Sequence, residues 1–232
     1  MISNLKSVLV IAAHPDDEVL GCGGLMARLA QSGTKVTSVF LADGVSSRYE
    51  YVEKEAWSKE LATRRQAGAK AAEILGSQPP IYYDFSDNQL DQIPLLELAK
   101  VVEYHFEEMS PDLVLTHFPG DLNVDHRKVS EAVATAARPG GKDNPPEIWA
   151  FEVPSSTEWN LISNLDFTPD IFVDISKHVD QKILALDAYN FEMRAFPHPR
   201  SKRAILALMD WRASNSGLSQ AESFFLLRKI IK

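Results

Sequence analysis

Residues 7–13 (SVLVIAA) are apolar almost without a break, and the chain then runs straight into His-Pro-Asp-Asp-Glu at 14–18. A strand that is apolar at every position, rather than at alternate ones, is covered on both faces of its sheet, as parallel strands are. Residues 20–31 follow with a helical pattern that Ser32 and Gly33 close. One imidazole and three carboxylates therefore crowd into a strand-to-helix turn, where Pro15 fixes φ and removes a backbone donor. Three carboxylates at that spacing repel one another, and a cation relieves the repulsion.

The same alternation continues along the chain. Strand patterns at 35–42, 81–85, 111–117, 147–152 and 170–175 are interleaved with helical patterns at 53–75, 95–109 and 127–137. In 95–109, Leu95, Leu96, Leu98, Val101, Val102 and Phe106 recur at helical spacing. Helical patterns over 177–193, 201–212 and 219–229 close the chain. Strands alternating with helices imply right-handed βαβ units. The expected fold is α/β: a Rossmann-like, mostly parallel sheet with helices on both faces and a C-terminal helical extension. No composition shift, long linker or internal repeat divides residues 1–232, so one domain is expected.

Composition narrows the function. Hydrophobic residues at 45% and charged residues at 24% suit a soluble globular protein. A net charge of -8 offers no basic stripe for a nucleic-acid backbone. No apolar run is long enough to span a membrane, and the N-terminal residues do not read as a signal peptide. The single cysteine, Cys22, excludes an intrachain disulfide and fits a cytoplasmic location; beside Gly21, Gly23 and Gly24 it reads as a packing residue. Those glycines lack dinucleotide-fingerprint spacing, and no phosphate loop is present. Homo-oligomerisation is compatible with the sequence.

Ligands of such sheets bind beyond the carboxyl ends of the strands, where strand order reverses. With the first strand central and the fourth beside it, two polar stretches meet there: 14–18 and 116–127 (THFPGDLNVDHR). Two imidazoles and a carboxylate suit a zinc-like metal with a fourth position open to water, which then ionises at pH about 7. A nearby carboxylate outside the metal's reach can take that proton. Asp16 and Asp17 are adjacent, so their side chains diverge, one to the metal and one to the substrate. The competing reading is a helix cap, with Asp16 or Asp17 accepting from free N–H groups; the second cluster favours the metal. His105, inside a helix, reads as a surface or core histidine, and His178, at a helix start, as a surface one. His117 ends the fourth strand, close enough to be weighed as a ligand or substrate contact. Residues 118–123 and 139–166 are expected to form much of the rim. Trp149 and Trp159 lie in or near that region, where an indole either stacks on a ligand's ring or packs into a core or interface.

Residues 13–18 (AHPDDE), followed by Asp121-x-Asn123-x-Asp125-His126-Arg127, resemble the PIG-L/LmbE family of zinc-dependent N-acetylglucosaminyl deacetylases. Asp43-Gly44, Arg64, Leu75-Gly76, Asp170-x-x-x-Asp174-Ile175-Ser176, His198-Pro199-Arg200-Ser201 and Ala221-Glu222-Ser223-Phe224 look like further family positions. The resemblance implies that His14, Asp17 and His126 bind Zn2+, that Asp16 is the general base, and that Asp125 orients a neighbouring side chain. Glu18 is expected to brace a neighbouring group from behind. Arg48, Arg64, Asp87 and Asn88 are candidate sugar contacts by loop position. Some family members carry a histidine where Asn123 stands, and an acidic residue where Ala67 stands. An amide donates a hydrogen bond but does not shuttle a proton, so either Asp16 makes both transfers, or His117 or His198 enters the site. The implied activity is hydrolysis of the N-acetyl group of a 2-acetamido sugar or its conjugate, a small-molecule substrate. The alternatives are a metal-dependent amidase for a non-sugar or thiol-conjugate amide, and a non-catalytic sugar-binding domain.

Overall fold

The computed structural model describes residues 2–49, 54–139, 146–161 and 164–231, with backbone alone at 3 and 54–56. Residue 53 of the expected second helix and residues 140–145, 162 and 163 of the expected rim lie outside the described residues. The strands are β1 (Ser7–Ala12), β2 (Lys35–Ala42), β3 (Ile81–Phe85), β4 (Leu113–His117), β5 (Glu147–Phe151), β6 (Ile171–Asp174) and β7 (Ala221–Arg228). The helices are α1 (Asp17–Gln31), α2 (Lys54–Leu75), α3 (Leu95–Met109), α4 (Val124–Ala136), α5 (Val179–Ala188) and α6 (Lys202–Ser214).

Among the described residues, seven strands join one sheet in the order β3-β2-β1-β4-β5-β7-β6. The first five are parallel; β7 runs antiparallel to both β5 and β6. Alternation along β1 explains its unbroken apolar character. Val8, Val10 and Ala12 pack with residues of α1, α2, α5 and α6, while Leu9 and Ile11 pack with residues of α3 and α4 on the opposite face. Strand order reverses between β1 and β4, so the carboxyl ends of those two strands open the crevice in which such sheets bind ligands.

Residues 219–229 are not a helix: Ala221–Arg228 form β7, inserted between β5 and β6. The run Phe224–Leu227 is apolar at consecutive positions, and over so short a stretch periodicity does not separate a buried strand from a buried helix. The C-terminal helical part is therefore α5 and α6, followed by a strand. Two helices also start earlier than expected. α1 begins at Asp17, and α4 at Val124, where Asn123 caps it by accepting the Asp125 N–H at 2.8 Å. α5 ends at Ala188 rather than 193, and Tyr189 and Glu192 turn inward to buried partners. His178 is buried at the start of α5 rather than on the surface, its Nδ1 2.8 Å from Gln181 Oε1.

α1 is broken at Cys22, whose φ of -144° is not helical. The break frees backbone groups that a buried ion pair satisfies. Lys182 Nζ donates to the Leu20 carbonyl at 2.9 Å and to Glu222 Oε1 at 2.7 Å, and Glu222 accepts the Gly24 and Leu25 N–H groups at 2.8 and 2.7 Å. The carboxylate thus caps the second half of the helix from β7.

Candidate metal centre

The turn after β1 folds back on itself. The His14 N–H donates to Asp17 Oδ2 at 2.9 Å, and the Arg64 guanidinium donates to the Pro15 carbonyl at 3.1 Å. Gly44, at φ 69°, lets that guanidinium pass: a Cβ there would sit 2.9 Å from Arg64 Nη1. Asp17 Oδ2 lies 3.3 Å from His14 Nδ1 and 3.3 Å from His126 Nε2, which comes from the first turn of α4. One ligand atom from each of these three buried residues lies within 4.8 Å of the others. Asp17 Oδ1 is buried without a hydrogen-bond partner among the described residues. The group is short of positive charge. Burial opposes charge on either imidazole, yet Asp125, Asp17 and Asp87 raise His14 well above its ordinary value, while Asp17 and Asp121 raise His126 to about 9. Burial would raise Asp17, but the histidines hold it well below the usual carboxylate range. Two nitrogens, a carboxylate and an unpartnered carboxylate oxygen suit a divalent cation.

The remaining carboxylates orient these three. His14 Nε2 lies 3.0 Å from Asp125 Oδ2 and 2.9 Å from Asp87 Oδ1. Asp125 is itself fixed by the N–H groups of Asn88 at 2.7 Å and Leu90 at 2.9 Å. This backing leaves Nδ1 as the His14 nitrogen free to bind a cation. His126 Nδ1 lies 3.2 Å from Asp121 Oδ1, and Asp121 is tied to Ser156, to Thr157 at 2.6 Å and to the Asn123 N–H at 2.8 Å. Asp87 is thus buried against His14 rather than open to a sugar, while Asn88 and Asn123 meet at 3.3 Å beside it.

Asp16 does something different from Asp17. It precedes α1 with φ 131° and makes no side-chain cap bond, which removes the helix-cap reading. Its Oδ2 accepts from Arg200 Nη1 at 2.9 Å, and its N–H donates to Glu18 Oε2 at 3.0 Å. Burial raises Asp16 to about 6, against the pull of Arg200. Glu18 is pushed to about 8 by burial and is held by the Tyr189 hydroxyl at 2.8 Å; it braces Asp16 from behind.

His117 is not a surface the substrate can touch. It is fully buried, its Nε2 accepts the Ala13 N–H at 2.9 Å, and its ring stacks on His126 at 3.9 Å between centroids. Burial and the neighbouring His126 hold it neutral, well below its ordinary value. His198 stands in the loop before α6; its Nδ1 accepts the Arg200 N–H at 3.0 Å and its ring meets Trp159 edge-on. Trp149 is a core residue against Phe224, whereas Trp159 is 45% exposed. Arg64 is buried and paired with Glu192, and Arg48 bridges Glu192 at 2.6 Å and Glu60 at 2.7 Å. His105 is a core histidine 3.0 Å from the Tyr83 hydroxyl.

Residues 9–137 match the PIG-L family, described as GlcNAc-PI de-N-acetylase. The chain belongs to the PIG-L family. Among its PIG-L relatives, the diacetylchitobiose deacetylase of Thermococcus kodakarensis is 31% identical over 204 residues, 79% of this chain and 69% of that protein. A probable N-acetyl-alpha-D-glucosaminyl L-malate deacetylase 2 of Bacillus cereus is 26% identical over 211 residues, 89% of this chain and 94% of that one. The solved N,N'-diacetylchitobiose deacetylase of Pyrococcus horikoshii superposes with a TM-score of 0.75 at 21% identity, over 97% of this chain and 85% of that one. GalB, the 4-carboxy-2-hydroxymuconate hydratase of Pseudomonas putida KT2440, superposes with a TM-score of 0.70 at 27% identity, over 98% of each chain. Two residues that hold the candidate site were missed. Glu192 and Arg200 are separated from the motif residues by most of the chain, and only the fold brings them to Arg64 and Asp16. Arg200 sits in a stretch, His198 to Ser201, that resembles the family, but nothing in the sequence names its partner.

Proposed function

We propose that this PIG-L chain is a zinc-dependent deacetylase that hydrolyses the acetamido group of a 2-acetamido sugar or its conjugate. The observation that carries the reading is the convergence of His14 Nδ1, Asp17 Oδ2 and His126 Nε2, with Asp16 beside them but engaged elsewhere. His14, Asp17 and His126 would hold the cation, and two nitrogens with one oxygen favour zinc. Zinc held there supplies Lewis-acid chemistry, polarising a carbonyl oxygen and making water nucleophilic near neutral pH.

Asp16 takes one proton from the attacking water, whose oxygen bonds to the amide carbon. The same proton then passes from Asp16 to the amide nitrogen as the C–N bond breaks, leaving acetic acid and an amine; the second proton of the water then moves from the acid to the amine, giving acetate and ammonium. Asn123 cannot carry a proton in this sequence, because its Oδ1 is committed to the Asp125 N–H and only an amide donor remains. The names of the PIG-L relatives support an N-acetylglucosamine-type substrate, and of the two candidate arginines Arg48 has a side chain 40% exposed whereas Arg64 is buried, which favours Arg48 as the sugar contact. A chain with one buried cysteine needs no oxidising compartment, and we place it in the cytoplasm.

The test is acetate release from a panel of N-acetylated sugars and sugar nucleotides, with and without chelator. Activity should require about one metal per chain, and Asp16→Asn should keep the metal while losing roughly 10²–10⁴-fold in rate. Full activity in a metal-free preparation sinks the reading. The likeness to GalB favours a second one, addition of water to a carbon–carbon double bond by the same base. Bleaching of an unsaturated tricarboxylate's ultraviolet absorbance, with no acetate released from any amide, would select it.

A further inference from the structure

Among the described residues, four that are not glycine have positive φ: Asp16, Asn88, Ser110 and Ser155. Such conformations persist where the surroundings fix them, and they gather at functional sites. Asp16 (131°) and Ser155 (71°) are joined by one side chain. Arg200 donates from Nε to Ser155 Oγ at 2.8 Å and from Nη1 to Asp16 Oδ2 at 2.9 Å, while its own N–H is held by His198 at 3.0 Å. The Ser155 N–H is in turn held by Glu158 at 2.6 Å. Glu192 Oε2 lies 3.8 Å from the guanidinium. No described hydrogen bond reaches Asp16 Oδ1.

We propose that Arg200, held by Ser155, is a positioning residue for the base: by gripping Oδ2 it leaves Oδ1 as the one basic oxygen of Asp16 and fixes where that oxygen points. The inference rests on the deacetylase reading. A carboxylate without such a grip turns broadly about its terminal torsion and presents either oxygen. The forked guanidinium serves two partners in different directions, which a lysine ammonium cannot do with the same geometry. Held this way, Asp16 presents the same oxygen when it receives the proton from water and when it hands it to the amine.

Arg200→Ala, Arg200→Lys and Ser155→Ala test it, with Arg203→Ala, on the outer face against Phe196, as the control. Misplacement by about 1 Å costs about 10²-fold, so Arg200→Ala should lower kcat by about that factor with little change in KM or metal content. Added guanidinium should restore part of the loss, and Arg200→Lys and Ser155→Ala should fall between. A crystal structure of Arg200→Ala should show the Asp16 carboxylate in more than one orientation. The proposal is overturned if kcat stays within about threefold of the parent, or if the loss follows metal content or unfolding and guanidinium restores nothing. If the parent protein releases no acetate from any substrate, the deacetylase reading fails; the Asp16 orientation in the Arg200→Ala crystal still decides the positioning claim, and one unchanged orientation overturns it.

Discussion

Replacing the carboxylates behind His14 should weaken metal binding without touching a ligand. His14 Nε2 has two acceptors at nearly equal range, Asp125 Oδ2 at 3.0 Å and Asp87 Oδ1 at 2.9 Å. Partners of this kind are typically worth about 10–100-fold in metal affinity, or about 1.4–2.7 kcal/mol. Asp125→Asn should lie near tenfold, because Asp87 remains to accept the Nε2 proton. Its other cost falls on stability: Asp125 also accepts from Asn88 and Leu90, and an amide can accept on only one side. Leaving the buried Leu90 N–H facing another donor costs about 1–3 kcal/mol. Asp87→Asn should be milder in affinity for the same reason of redundancy, and the double variant should approach 100-fold, more than the two single losses multiplied. Competition with a chromophoric chelator measures the affinity, and circular dichroism separates it from unfolding. A double variant that binds the metal as tightly as the parent would refute the assignment of His14 Nδ1 as the metal-facing nitrogen.

Three further outcomes follow from the same contacts. His126→Ala should remove about one metal per chain and leave the fold, since the helix start is capped by Asn123 rather than by the histidine; a fully loaded variant would overturn the ligand set. Lys182→Met should cost about 3–5 kcal/mol by leaving Glu222 buried and partly unpaired, a fall of roughly 10 °C in the metal-free protein's melting temperature; Lys182→Met with Glu222→Leu should not recover it, because Gly24 and Leu25 then lose their acceptor. Burial would raise Glu192, but Arg64 and Arg48 hold it below its ordinary 4.5, so its contribution is present above that value and lost as pH falls through the folded one; denaturant titrations should show a shallower acid loss in Glu192→Gln.

Much of the fold was legible because apolar strand patterns such as β1 alternate with helical patterns along the chain, as they do in a parallel sheet covered on both faces. β7 was not, since its strand character comes from the gap between β5 and β6 rather than from any alternation of its own. The residues of the candidate metal centre were legible because each half is local: His14 and Asp17 share one turn, and His126 follows Asp121, Asn123 and Asp125 within six residues. What holds those groups in place was not legible. Arg200 on Asp16, Glu192 on Arg64, Tyr189 on Glu18 and Glu222 on the broken helix are all pairings between distant segments, and no spacing rule reaches them.

The asparagine at 123 raised a question that geometry narrows. Three groups were weighed for returning the proton to the departing amine: Asp16, His117 and His198. His117 is sealed beneath His126, and its Nε2 is occupied by the Ala13 N–H. A group that must give a proton to substrate needs to reach it, so His117 serves as a floor for the His126 ring. His198 has Nδ1 occupied by the Arg200 N–H and its ring against Trp159. Its position fixes the backbone of the residue that grips Asp16, which is a different service from carrying protons. Asp16 is the group left with an oxygen that no described hydrogen bond reaches, next in sequence to Asp17 of the candidate metal centre. A carboxylate can be a base toward water and, once protonated, an acid toward an amine in consecutive steps. An asparagine at 123 is thus compatible with a complete proton path, provided that Asp16 keeps one orientation through both transfers, the constraint that Arg200 and Ser155 are proposed to meet.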